Sequence, residues 1–567
     1  MQSKRELGVA KVLFGAVFAF AMGAGQARAE GAYQAIRLSL PPDASPAVQN
    51  IGRVLARQMQ ERCGAQVVTS DPSLAVELRL DPSVGGEGFR IEDRASGGVR
   101  IVGGDERGLL YGVGKFLRTS RYRTNGFEPS AWRGTRAPQG SFRAIYAATH
   151  FMNFYEAAPA DEVSRYMQEL GLWGANALVL CFPSFQFQNL DDPAAQRSLA
   201  HIRSILRAGK EIGLRPGLII SPNQGCKDAP STVLCKPFPD DLRRRGTLGV
   251  NCCPGTPEGQ AYLLSLYGRL FDSLADLDLD YLVCWPYDEG GCGCSACWPW
   301  GAKGFPSACR AVAERARQAH PHLKVILSTW MYDTPPAGEW RGLADRLKAE
   351  PPWVHAIMAD AHEDFPRFPL ENGAPGGVPL VSFPEISMWN GREPWGSFGA
   401  NPLPARFERL WRQTEGKLDG GMPYSEGIYE DMNKVLCLQF FWDKKTTAEE
   451  TLREYIAYEY APEAVDDVLK AIRLFEETWP GKQVGPKSVA ARELLQRVEQ
   501  QLSPHAKAAW RWRILWLRAV IDSELYRTQG KFRGPVLDQA WKELSRTYHA
   551  DQAGPFVHPL AVESMDP

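Results

Sequence analysis

Between residues 142 and 425 the chain repeats one unit: a short apolar run, then a segment with helical periodicity. The runs cover 142–151, 175–185, 214–222, 280–287, 324–332, 354–361, 378–386 and 420–425. Continuously apolar strands joined by helical crossovers form parallel sheets buried on both faces. Eight such units close into a (β/α)8 barrel. The helix after the first run is expected at 160–172, and another, after the Cys-rich stretch that follows the third run, at 257–274. The predicted fold class is therefore α/β, a (β/α)8 TIM barrel over 140–445.

A chain of 567 residues exceeds one ordinary domain. Residues 30–135 read as a small N-terminal α+β domain. Its strands fall at 35–40, 75–80, 89–93 and 99–103, and its helices at 47–61 and 105–119. Asp105 is placed to cap the second helix, with Leu109, Leu110, Val113 and Leu117 as its apolar face. A Pro/Gly/Arg-rich connector, 132–140, follows. Residues 446–567 are patterned as a helical C-terminal domain. Trp510, Trp512, Leu515, Trp516 and Leu517 recur there at helical spacing, as core residues do.

The N-terminus predicts export. Lys4, Arg5 and Lys11 precede an apolar run, 12–25, and Ala27-Arg28-Ala29 offers a cleavage site. The expectation is a signal peptide over 1–29 and a periplasmic or extracellular mature chain with no membrane span. A formal net charge of -1 argues against nucleic-acid or anionic-membrane partners.

In a barrel the C-terminal strand ends share one rim, which is where barrel enzymes keep their chemistry. The fourth run leads into Trp285-Pro286-Tyr287-Asp288-Glu289-Gly290-Gly291-Cys292. Neighbouring carboxylates push their pKa values apart, so one stays ionised while the other holds a proton. Glycoside cleavage uses that division. Asp288 and Glu289 are the candidate catalytic residues. The other strand ends offer His150, Asn153, Trp285, Trp330, Tyr332, Asp360, His362, Glu385, Trp389, Tyr424 and Glu426 as candidate substrate-binding residues. Aromatic rings suit the C–H faces of a sugar, and carboxylates accept its hydroxyls. No Gly-rich phosphate loop, HExxH metal motif or G-x-S-x-G elbow competes. The expected partner is a glycan.

All 12 Cys lie beyond the signal segment. Cys226 and Cys235 bracket a loop and are spaced to pair. Cys292, Cys294 and Cys297, with Cys253 upstream, suit a structural zinc, disulfides or free buried thiols. In each case the cluster braces the loop carrying Asp288 and Glu289, and no catalytic cofactor is expected.

This layout resembles that of family 20 β-N-acetylhexosaminidases, family 84 enzymes and family 67 α-glucuronidases. The stretch Gly104-Asp105-Glu106-Arg107-Gly108-Leu109-Leu110-Tyr111-Gly112 is similar to their shared N-terminal domain. The family 20 resemblance implies that Asp288 orients a substrate 2-acetamido group and that Glu289 protonates the leaving oxygen. It implies an aromatic wall and an acetamido-holding Tyr at Trp330 and Tyr332, and sugar-binding roles for Trp389 and Glu426. Where that family grips sugar hydroxyls with an Arg, this chain has Thr149, and Arg143 at the strand's start does not replace it. Three readings follow. The first is a terminal N-acetylhexosaminidase working by substrate assistance. The second is an inverting α-glucuronidase-like enzyme in which Asp360 or Glu385 activates water. The third is a non-catalytic carbohydrate-binding barrel.

Overall fold

The computed structural model describes residues 32–150, 154–239, 249–288, 290–334, 337–386, 401–414, 416–425, 430–478, 483–531 and 533–549, and the backbone of 561–562. The expected signal segment and the expected site residues Asn153, Glu289, Trp389 and Glu426 lie outside the described residues.

The barrel is closed and parallel, and its strands follow one another in chain order. They are Phe142–Ala147, Ala177–Cys181, Arg215–Ile220, Tyr281–Cys284, Lys324–Ser328, Ala356–Ala361, Leu380–Pro384 and Gly420–Gly421. The last pairs with the first, Gly420 opposite Phe142. Each strand is shorter than its apolar run; in all but the sixth, which is shortened only at its start, the final residues of the run leave the ladder to form the rim. Strand pleat sorts the side chains. Phe142, Ala144, Tyr146 and Ala148 point inward and meet Val179, Ile219, Tyr281, Val283, Ile326, Met358, Val381, Phe383 and Met422 in a core of their own. The outward-facing residues pack under the helices, among them Ala160–Leu172 and Pro257–Ser273.

The N-terminal unit is a six-stranded sheet. Its spatial order is Gln66–Val67, Ala35–Ser39, Leu74–Leu80, Val99–Gly103, Phe89–Asp93, Gly134–Arg136. The last strand comes from the stretch expected to be a connector; it pairs antiparallel along the edge, where Gly and Pro are tolerated. Helices Pro46–Cys63 and Glu106–Thr119 belong to this unit. Asp105 caps the second as expected, accepting from the Gly108 N–H at 2.8 Å. It also accepts from the Glu87 N–H at 3.1 Å. Two glycines of the 104–112 stretch have a steric purpose. A Cβ on Gly104 would lie 1.7 Å from the Gly85 oxygen, and one on Gly108 would lie 2.0 Å from the Gly88 oxygen. The 85–88 turn therefore rests directly on the helix start and holds Glu87 against the barrel. Replacing Asp105 with Ala is expected to cost about 1 kcal/mol, read as a lower urea midpoint at unchanged m-value.

Glu87 meets the starts of three barrel strands. Arg143, fully buried, bonds to it and to the carbonyls of Gly140 and Gly174. Arg215 and Arg107 reach it at 3.0 Å, and Asn176 at 3.1 Å. Arg143 thus works at the barrel floor, as its position in the sequence implied.

Beyond the barrel's last helix, Asp431–Trp442, the chain runs through helices including Ala448–Glu459, Val465–Thr478, Pro486–Gln501, Trp510–Arg527 and Pro535–Thr547. Trp512, Leu515 and Leu517 are buried, and Trp510 and Trp516 are half-buried against the same core. Arg511 binds Asp431 and Glu169, each at 2.7 Å, tying these helices to the barrel. Among the described residues no helix is long and apolar enough to cross a membrane.

Candidate active site

The rim is built from strand ends. Trp285, just past the fourth strand, stacks on Trp330, past the fifth, with centroids 5.3 Å apart and planes 24° apart. Phe383 supports Trp285 from the seventh strand at 5.0 Å, and Tyr424 packs on Phe383 at 5.7 Å. Tyr146, 5.5 Å from Tyr424, shares a 2.8 Å hydrogen bond with His150 Nε2. Burial pushes the His150 pKa down to about 3, so the ring is neutral. The pleat aims Tyr146 and Phe383 inward, and the turns after the fourth and fifth strands bring Trp285 onto Phe383 and Trp330 onto Trp285.

Asp288 is half-buried on a left-handed turn, φ 77°. Such backbone in a non-glycine residue persists only where its surroundings enforce it. They do here: the Trp285 N–H bonds the Ile220 carbonyl at 2.8 Å, the Trp300 indole N–H donates to the Pro286 carbonyl, and the Tyr287 hydroxyl donates to Glu339.

Next along the rim, the sixth and seventh strands bring Asp360, His362 and Glu385 together. Burial, reinforced by the Glu385 charge, holds the Asp360 pKa well above the carboxylate range. Asp360 is half-buried as a residue, yet its Oδ1 is shut from solvent and has no hydrogen-bond partner. His362 pairs with Glu385, and that carboxylate raises the imidazole pKa. Both shifts favour the protonated forms. Trp330 Nε1 is a second buried polar atom on this rim with no partner. An unmade hydrogen bond of this kind costs about 1–3 kcal/mol, a deficit that a ligand hydroxyl can remove.

Other expected site residues are placed differently. Tyr332 is 2% exposed, and its hydroxyl donates to the Gly301 carbonyl at 2.6 Å. It belongs to the packing behind the rim, beside Tyr287 and Trp340. The Thr149 hydroxyl donates to the Cys181 carbonyl and so ties the first strand to the second. Arg406, which no motif singled out, lies beneath the acid cluster. Its guanidinium donates to the carbonyls of Glu385 at 3.1 Å and His362 at 2.7 Å, fixing both strand ends.

None of the 12 Cys is joined to another in a disulfide. Cys226 and Cys235 are not joined. Cys226 faces Cys252, and Cys235 hydrogen-bonds Cys292. Cys253, Cys292, Cys294 and Cys297 gather beside the Asp288 turn.

No known family profile matches the sequence, and no curated protein matches it. Solved structures do share its fold. A family GH115 4-O-methyl-α-glucuronidase with specificity for decorated arabinogalactans covers 91% of this chain, over 76% of its own, with TM-score 0.58 and 10% identity. A GH138 enzyme targeting pectin rhamnogalacturonan II covers 91%, over 93% of its own, with TM-score 0.56 and 10% identity. The GH20 β-N-acetylhexosaminidase of Streptomyces coelicolor A3(2) covers 76%, over 92% of its own, with TM-score 0.53 and 16% identity. The chain has the (β/α)8 barrel fold of these glycoside hydrolases.

Proposed function

We propose that the protein is a glycoside hydrolase working at the C-terminal mouth of its barrel. One observation carries this: a stacked tryptophan wall, Trp285 on Trp330, shares the rim with Asp360, an acid whose pKa burial raises well above the carboxylate range. Trp330 Nε1 and Asp360 Oδ1, both buried and unpartnered, suit a polyhydroxylated ring laid on that wall. The fold shared with three glycoside hydrolase families agrees with this reading. The basic and apolar N-terminus, patterned as a signal peptide, supports an exported enzyme that meets its glycan in the periplasm or outside the cell.

In the finer reading the enzyme removes a terminal N-acetylhexosamine-type sugar. Asp288 orients the acetamido group, whose oxygen attacks the anomeric carbon, and Glu289 protonates the leaving oxygen. The enforced turn at Asp288 supports this. The burial of Tyr332 weighs against it, because its hydroxyl is already engaged. The Asp360–Glu385–His362 cluster favours a second reading. There Glu289 is still the acid, and Glu385 activates water from the opposite side with inversion. His362, whose pKa Glu385 raises, supplies an imidazole that in its protonated form suits a uronate.

A panel of aryl glycosides separates these readings. Release from N-acetylhexosaminides with retained configuration and inhibition by a thiazoline mimic is the expected outcome of the first. Release from uronosides with inverted configuration is that of the second. Glycan binding with no release from any member would defeat the hydrolase proposal and leave a binding protein.

Asp360 gives a pH prediction. Its raised pKa means that it holds its proton to higher pH than an ordinary carboxyl and loses it as pH rises through that value. Asp360→Asn mimics the protonated form. The variant is expected to keep kcat/KM at neutral pH within about tenfold and to lose the part of the alkaline decline that Asp360 causes.

A further inference from the structure

Four sulfurs beside the catalytic turn are arranged as ligands. The Sγ atoms of Cys253, Cys292, Cys294 and Cys297 all lie within 4.8 Å of one another. Cys253 Sγ is 3.5 Å from that of Cys292 and 3.6 Å from that of Cys294. A disulfide would bring a pair to about 2.05 Å. Four thiolates at about 2.3 Å from one tetrahedral zinc lie about 3.8 Å apart, close to what is found. Cys253, Cys292 and Cys297 are at most 4% exposed, and Cys294 is half-buried.

Backbone amides also point at two of the sulfurs. The Gly255 N–H donates to Cys253 Sγ, and the N–H groups of Lys236 and Cys294 donate to Cys292 Sγ. Glycine also clears the space: a Cβ on Gly255 would lie 2.9 Å from Cys297 Sγ and 3.4 Å from Cys294 Sγ. Four sulfur ligands with no carboxylate or imidazole select a soft or borderline metal.

We infer that Cys253, Cys292, Cys294 and Cys297 bind one zinc ion in a closed, structural tetrathiolate site. Four protein ligands leave no open position, so the ion does not activate water. Cys235 stays outside the set, hydrogen-bonded to Cys292 and accepting from Asn223 Nδ2 at 3.3 Å. The ion's role is mechanical. Cys253 follows the ribbon strand Val250–Asn251, which belongs to the excursion after the third barrel strand. The other three ligands lie after the fourth strand, and only Glu289, Gly290 and Gly291 separate Asp288 from Cys292. Asn223 runs beside the same link, bonded to the Gly291 carbonyl at 3.0 Å and accepting from its N–H at 3.1 Å.

The test uses the full chain purified without chelator and reads metal, not activity, so it stands apart from the hydrolase proposal. Elemental analysis is expected to find about one zinc per chain. Cobalt-substituted protein is expected to show the visible bands of tetrahedral cobalt thiolate. Chelation should make the four thiols reactive toward Ellman's reagent, and added zinc should protect them again. Cys294→Ser should lower the zinc content well below that of wild type, whereas Cys63→Ser, in the N-terminal sheet's helix, should leave it unchanged. Absence of zinc, disulfides among these four residues by peptide mapping, or full zinc retention in a Cys253→Ser/Cys294→Ser double variant would each overturn the inference.

Discussion

Glu289→Gln is expected to lower kcat/KM by about 10²–10⁴-fold, because both mechanistic readings need a proton donor at this position. Glu385→Gln then tells them apart. If the substrate's own acetamido oxygen is the nucleophile, Glu385 only binds a hydroxyl, and its loss should cost about tenfold. If Glu385 activates water, the two substitutions should be comparably damaging, about 10²–10⁴-fold each, and the double variant should be little worse than either, since the two groups act in one step. Circular dichroism and thermal unfolding of both variants show whether the fold is intact. Glu385 pairs with His362, so Glu385→Gln should also let the His362 pKa fall toward its ordinary value, visible by NMR whatever the mechanism. Wild-type activity in both variants would remove the acid chemistry from this rim altogether.

The barrel was legible because its signal is global. Each strand is apolar on both faces, so each of the eight runs stood out without reference to the others. The runs overshot the strands for a local reason. Apolar or aromatic residues such as Tyr287 and Tyr332 continue the composition of a strand while the backbone turns away to build the rim. Sequence position alone therefore put Tyr332 on the sugar-facing wall, whereas its hydroxyl had a nearer partner in Gly301. Arg406 was invisible for the opposite reason. It lies in helix Pro404–Arg412, where an arginine is ordinary, and only tertiary packing brings it under the carbonyls of His362 and Glu385. The cysteines show both limits together. Spacing grouped Cys253 with Cys292, Cys294 and Cys297, because three of them share one loop. Spacing also suggested Cys226 with Cys235, whereas the fold turns Cys235 toward Cys292. Glu87 carried no signal either, because its role depends on three strand starts that converge only once the barrel closes.

That closure at the floor gives the largest expected loss of stability. Arg143 is fully buried, and Glu87 is its counter-charge. Desolvation alone would raise the Glu87 pKa, but Arg143, Arg215 and Arg107 outweigh it and bring it down to about 2 from 4.5. Glu87→Gln keeps the shape and removes the charge, leaving a buried guanidinium without its anion. Removing one partner of a buried pair costs about 3–5 kcal/mol. The side chain of Glu87 is 13% exposed, so little of this is screened away. The sign of the pH dependence follows from the depressed pKa. The contribution of Glu87 is fully present above the unfolded value near 4.5 and is lost as pH falls toward about 2. Urea denaturation should therefore show the widest gap between wild type and Glu87→Gln at neutral pH, closing below pH 4.5. A gap of constant size down to pH 2 would mean that lost packing, not lost charge, destabilises the variant. Because the same turn is seated by Gly104 and Gly108, the N-terminal sheet would then act on the barrel through contact alone.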